Sequence, residues 1–109
     1  MDKITTIEFH DIDLQKSINI HGQNLKETIA IEEMSELIKE ICKDQRGELR
    51  RDNLVEEFAD VMICMRMLSI IHDIKPEEVQ RWIDNKVARQ KRRDLEYIRN
   101  KLRGCEDDR

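Results

Sequence analysis

The chain has 109 residues, 24 of them acidic and 20 basic, and a formal net charge of −4. That length builds one domain around one core, and 40% charged with 39% hydrophobic residues excludes both a membrane-embedded and a typical disordered chain. Three glycines and one proline are too little turn chemistry for a many-stranded β fold, whereas abundant Glu, Lys, Arg, Ile and Leu suit long amphipathic helices. The expected class is all-α.

The N-terminal stretch 1–20 has weak, mixed periodicity and reads as a short helix or an extended arm. From Asn24 the pattern is helical: Leu25, Ile29, Met34, Leu37, Ile38 and Ile41 recur at spacings of three to five. Asn24 is the expected N-cap, with Glu27 as its capping-box partner. Gly47 marks a turn within 43–52. Asp52 or Asn53 is then expected to cap a second helix running to about Asp73, whose centre from Val61 to Ile71 is interrupted only by Arg66 and Ser69. A helix so apolar must be covered on several sides, and a single short chain has few helices to do it. Homodimerisation or homotetramerisation is therefore expected. Pro76 suits the first turn of a third helix carrying Val79, Trp82, Ile83, Val87, Leu95, Ile98 and Leu102. The expected architecture is a single domain over 1–109, an antiparallel bundle of three to four helices completed by oligomerisation, with 99–109 polar and frayed.

Cys42, Cys64 and Cys105 are too few and too scattered for a disulfide scaffold or a structural zinc site. Cys42 and Cys64 lie in apolar runs and read as core residues. The opening MDKITTIEF has no apolar signal-peptide region, and no apolar run reaches the roughly 18 residues of a membrane span, so a cytoplasmic location is expected. Residues 1–75 are net acidic and 76–109 net basic. The bases Arg89, Lys91, Arg92, Arg93, Arg99, Lys101 and Arg103 are interleaved with Asp94 and Glu96, which argues against a nucleic-acid-tracking stripe. The loop bases Lys43, Arg46, Arg50 and Arg51 read as solvated charge.

Two carboxylate sets stand out. One helix carries Glu32, Glu33 and Glu36, the next Glu57 and Asp60, and residues i and i+3 share a helix face. In an antiparallel pair Glu33 and Glu36 would face Glu57 and Asp60 beside apolar neighbours. Two carboxylates 4 Å apart repel by about 4 kcal/mol at an effective dielectric of 20, so shared protons, basic partners or a cation must offset the crowding. An all-oxygen donor set suits Mg²⁺ or Mn²⁺. A di-iron bundle would need Glu-x-x-His, and none of His10, His21 and His72 lies three residues after a glutamate.

EExxE (Glu32, Glu33, Glu36) followed after twenty residues by ExxD (Glu57, Asp60) resembles the signature of the MazG-like, all-α nucleoside triphosphate pyrophosphohydrolases. Gly22 ten residues before the motif, Leu37 and Val61 directly after its halves, and Trp82 to Arg89 downstream extend the resemblance over roughly residues 20–93. The resemblance implies Mg²⁺-dependent hydrolysis of a (deoxy)nucleoside triphosphate to the monophosphate and pyrophosphate, with cleaning of the nucleotide pool as its purpose. Glu33, Glu36, Glu57 and Asp60 would hold the metal, Glu32 or Glu36 would accept the proton of the attacking water, and Lys86 and Arg89 would stabilise phosphate charge. Trp82 is the stacking candidate for the base. Two positions depart from the family pattern: Lys26 stands where a glutamine is common, and Asn53 where a lysine is often found one turn before the ExxD glutamate. Both lie where substrate would bind. The competing expectation is a catalytically inactive helical interaction module that keeps the fold.

Overall fold

The computed structural model describes residues 6–107, with side chains described for 6–104. The described chain forms α1 (Asp11–His21), α2 (Gln23–Gln45), α3 (Arg51–Ile71) and α4 (Pro76–Asp107), with no strand among the described residues. The all-α class holds, and the N-terminal stretch resolves into a helix beyond His10.

Gly22 explains the first corner. Its φ of +87° is open to glycine at no steric cost. Its N–H donates to the Ile18 carbonyl at 2.8 Å, closing α1, and its carbonyl accepts the Lys26 N–H at 3.3 Å, opening α2. One residue thus serves both helices, and Asn24 is already inside α2, where its carbonyl accepts the Thr28 hydroxyl at 3.0 Å. The expected Asn24 cap and its box with Glu27 are corrected accordingly. The start of α3 is corrected in the same way. Arg50 occupies the N-cap without a side-chain cap bond, and Asp52 instead sits in the first turn, where its charge favours the helix dipole. Between them, Gly47 at φ +76° donates to the Asp44 carbonyl while the Glu48 N–H reaches the Lys43 carbonyl, the paired bonds of a glycine-terminated helix.

Residues 1–74 and 75–109 form two compact units. In the first, α2 and α3 pair as an antiparallel hairpin and α1 packs on both. Ile18, Ala30, Val61, Cys64 and Met67 are its buried apolar residues. Arg66 fastens α1 to α3, donating to both Asp11 carboxylate oxygens at 2.9 and 2.6 Å and to the Ser69 hydroxyl at 3.0 Å. Cys42 is exposed, correcting its core assignment: nine residues beyond Glu33, it lies half a turn from the α3-facing side of α2.

The hairpin has two unlike sides. On one, Glu27 of α2 meets His72 at the end of α3, carboxylate to Nε2 at 2.6 Å. Stepping from Glu27 by helical repeats leads to Ile31, Met34, Ile38 and Ile41, and from His72 back to Met65, Met62 and Phe58. These rows share one side of the pair, and Ile31, Ile38, Phe58 and Met65 on them are 55–67% exposed.

In the second unit, Pro76 opens α4 as the sequence predicts, and the Lys75 N–H donates to the Glu78 carboxylate at 2.8 Å. All described residues of α4 are exposed, including Trp82, Ile83, Leu95 and Ile98. Local pairs line the helix: Gln80 with Asp84, Gln90 with Asp94, and the ammonium groups of Lys86 and Lys101 over the rings of Trp82 and Tyr97. The polar segment 99–107, where fraying is expected, continues the helix.

Candidate carboxylate site

The inner line of α2 runs Lys26, Ala30, Glu33, Leu37, Glu40, and that of α3 runs Leu54, Glu57, Val61, Cys64, Leu68, with Asp60 alongside. Each recurs every three or four residues, the repeat that keeps one helix face turned to its neighbour. Where these lines meet, Glu33, Glu57 and Asp60 each bring a carboxylate oxygen within 4.8 Å of the other two. All three residues are half-buried. Among the described residues this is the group that offers three ligand atoms of metal-binding type at such spacing.

The electrostatics are those of a crowded acidic cleft. Burial pushes the Glu33 carboxyl up, and the Asp60 charge, a hydrogen bond with Asp60, and the charges of Glu36 and Glu32 push it further. Burial also raises Glu57, followed by the charges of Asp60, Glu33, Glu36 and Glu56. One oxygen of Glu57, Oε2, is enclosed and has no hydrogen-bond partner. An enclosed carboxylate oxygen without a donor is costly and rare in a finished structure. A divalent cation is a partner that all three acids could share, and an all-oxygen donor set is the kind that Mg²⁺ or Mn²⁺ takes. The donor set fits the ion.

Glu36 lies one turn beyond Glu33, 48% exposed, and accepts from Lys39 at 3.2 Å, outside the set of three. Its charge still reaches Glu33 and Glu57. Glu32 is exposed and influences Glu33. Lys26 is half-buried, and its charge acts on the Cys64 thiol, which burial, Glu33 and Asp60 drive up and Lys26 draws down. Asn53, one turn before Glu57, is exposed and lines a cleft of about 560 Å³ with Lys43 of α2 and Gly47, Glu48, Leu49 and Arg50 of the α2–α3 loop. Trp82, Lys86 and Arg89 stand together on α4 in the second unit, with the Lys86 ammonium 5.7 Å from the Trp82 ring centre.

Sequence reading did not single out Glu40, 5% exposed and paired with Lys43 at 3.1 Å. Its place seven residues after Glu33 on the inner line was the available signal. Comparison with protein-family models, curated proteins and solved structures returns no match.

Proposed function

We propose that the chain is a Mg²⁺-dependent nucleoside triphosphate pyrophosphohydrolase, releasing pyrophosphate and the nucleoside monophosphate. The observation that carries this reading is the convergence of Glu33, Glu57 and Asp60, with one Glu57 oxygen enclosed and unpartnered. The resemblance to MazG-like enzymes supplies the substrate class. Glu33, Glu57 and Asp60 hold the ion, which when bound neutralises phosphate oxygens and acidifies a water molecule.

The chain's own groups do the rest. Glu36 lies outside the three and its charge bears on both Glu33 and Glu57, so it is the first candidate to accept the proton of the attacking water, with Glu32, whose charge bears on Glu33, the second. The resemblance gives Lys86 and Arg89, one turn apart on one face of α4, as the bases that would serve phosphate oxygens, Lys as a point charge and Arg as a two-pronged donor. Trp82 offers a ring, 57% exposed, for a base to stack on.

A second copy of the chain covers the apolar side of the α2–α3 hairpin. Between Glu27 and Arg51 those rows carry no charge, so the side can meet its own image across a two-fold axis without a buried like-charge pair. Replacing Ile38 and Met65 together by glutamate is expected to give a monomer in sedimentation equilibrium; an unchanged mass would sink this assembly.

The decisive assay is pyrophosphate release from canonical and modified nucleoside triphosphates, with Mg²⁺, with EDTA, and with Glu36→Gln and Asp60→Asn variants. Metal-dependent release lost in both variants is the expected outcome. Absence of release from every triphosphate, in a helical and associated protein, would favour the non-catalytic interaction module, for which the exposed apolar rows are the supporting observation.

A further inference from the structure

The surface of α4 is not uniformly polar. Ile83, Val87, Lys91, Asp94, Ile98 and Leu102 follow one another at steps of 4, 4, 3, 4 and 4 residues. Ile83 and Asp94, Val87 and Ile98, and Lys91 and Leu102 are each eleven residues apart, about three helical turns, so the six form one line along the helix. Its four apolar members are 47–63% exposed. Such a line is the seam along which two helices pack, and this one carries two opposite charges at its centre. The spacing also reads the same from either end. When a second α4 is laid against the first in the opposite direction, Ile83 meets Leu102, Val87 meets Ile98 and Lys91 meets Asp94, and a two-fold axis repeats each meeting. In a parallel pair each residue meets its own copy, so Lys91 faces Lys91 and Asp94 faces Asp94. The charges therefore select the antiparallel pair. Within one chain the Asp94 carboxylate accepts from Gln90 at 2.8 Å, and among the described residues no ion pair joins it to Lys91.

We propose that this line is an interface between two copies of the chain, an antiparallel α4–α4 pair with two apolar layers on each side of a central, doubled Lys91–Asp94 bridge. It is a contact separate from that of the hairpin and does not depend on the metal-dependent reading. An anionic surface, lipid or nucleic acid, would have to accept the Asp94 carboxylate at the middle of the line, whereas a second copy brings its partner. From Ile83 to Leu102 the helix runs about 29 Å, so the pair is small among specific interfaces and gathers copies at higher concentration than the hairpin contact does. Its central charges contribute direction and register more than affinity, as polar residues in helical seams do.

The test is sedimentation equilibrium of the full chain over a range of concentrations, with helicity checked for each variant. Lys91→Glu and Asp94→Lys are each expected to weaken association through α4 by about tenfold or more, because each places two like-charge meetings at the centre of the seam. The two substitutions move the net charge in opposite directions, so a general charge effect would not weaken both. Combining them exchanges the two charges, and the double variant is expected to associate as wild type does. Association indifferent to all three variants, or a double variant as weak as the single ones, would overturn the antiparallel pair and leave the line to another occupant. The hairpin contact is judged separately, by the joint replacement of Ile38 and Met65.

Discussion

The α2–α3 hairpin and α4 draw on the same residue classes and use them differently. In the hairpin, charged residues are turned inward: Glu40 is 5% exposed and Glu33, Glu57 and Asp60 are half-buried. In α4 every described residue is exposed, and Asp84, Asp94, Lys86 and Lys101 meet partners along the helix itself. Crowded, partly desolvated carboxylates are strained until something joins them, whereas solvated charges on a lone helix cost little and perturb little. The difference separates acids that perturb one another from charges that lie open to solvent.

Substitution of the inward acids should have the largest effect. Asp60→Asn and Glu57→Gln are each expected to lower Mg²⁺-dependent pyrophosphate release by about a hundredfold or more, the scale of losing a group that acts in the transition state. On α4, Lys86→Met and Arg89→Met should cost less, about tenfold each, measured as kcat/KM in the same assay. Equal losses from both sets would erase the distinction.

Stability sharpens it next. Met67→Ala, at a position 7% exposed, is expected to cost about 2–4 kcal/mol in urea unfolding. Val87→Ala, at a position 62% exposed, should stay within about 0.5 kcal/mol in dilute solution. A large cost at Val87 would show that α4 is covered in solution.

The pH dependence is subtler. The folded Glu57 carboxyl lies above its ordinary range because of burial and neighbouring acids. Its contribution is therefore intact below the unfolded value and is lost as pH rises through the folded one. Without divalent ions, Glu57→Gln is expected to melt above wild type at pH 7, with the gap closing toward pH 4; a gap that widens on acidification would contradict the crowding. Asp11 supplies the opposite sign and the smallest effect. Arg66's hydrogen bonds hold it below the usual aspartate range, so its contribution is present at neutral pH and lost as pH falls through the folded value. Asp11→Asn should lower the melting temperature slightly at pH 7 and not at all well below that value.

Much of the hairpin was legible in the sequence because helical spacing alone puts Glu33 beside Glu36 and Glu57 beside Asp60, and a short turn at Gly47 brings the helices together. What spacing could not fix was rotation about each helix axis. A few tens of degrees leave Glu36 with Lys39 while Glu33 enters the cleft, whereas Cys42, read as core from its apolar run, lies half a turn away from the inner line. Cap positions were misread because glycine at positive φ and a backbone-only start can open a helix as well as Asn24 or Asp52, and the sequence shows side-chain caps more readily than backbone ones.

Ala30 is 2% exposed, on the inner line one turn before Glu33. Burial that complete leaves no space for a longer side chain, so volume alone fixes the choice at this position, at a place that carries neither charge nor ligand atom.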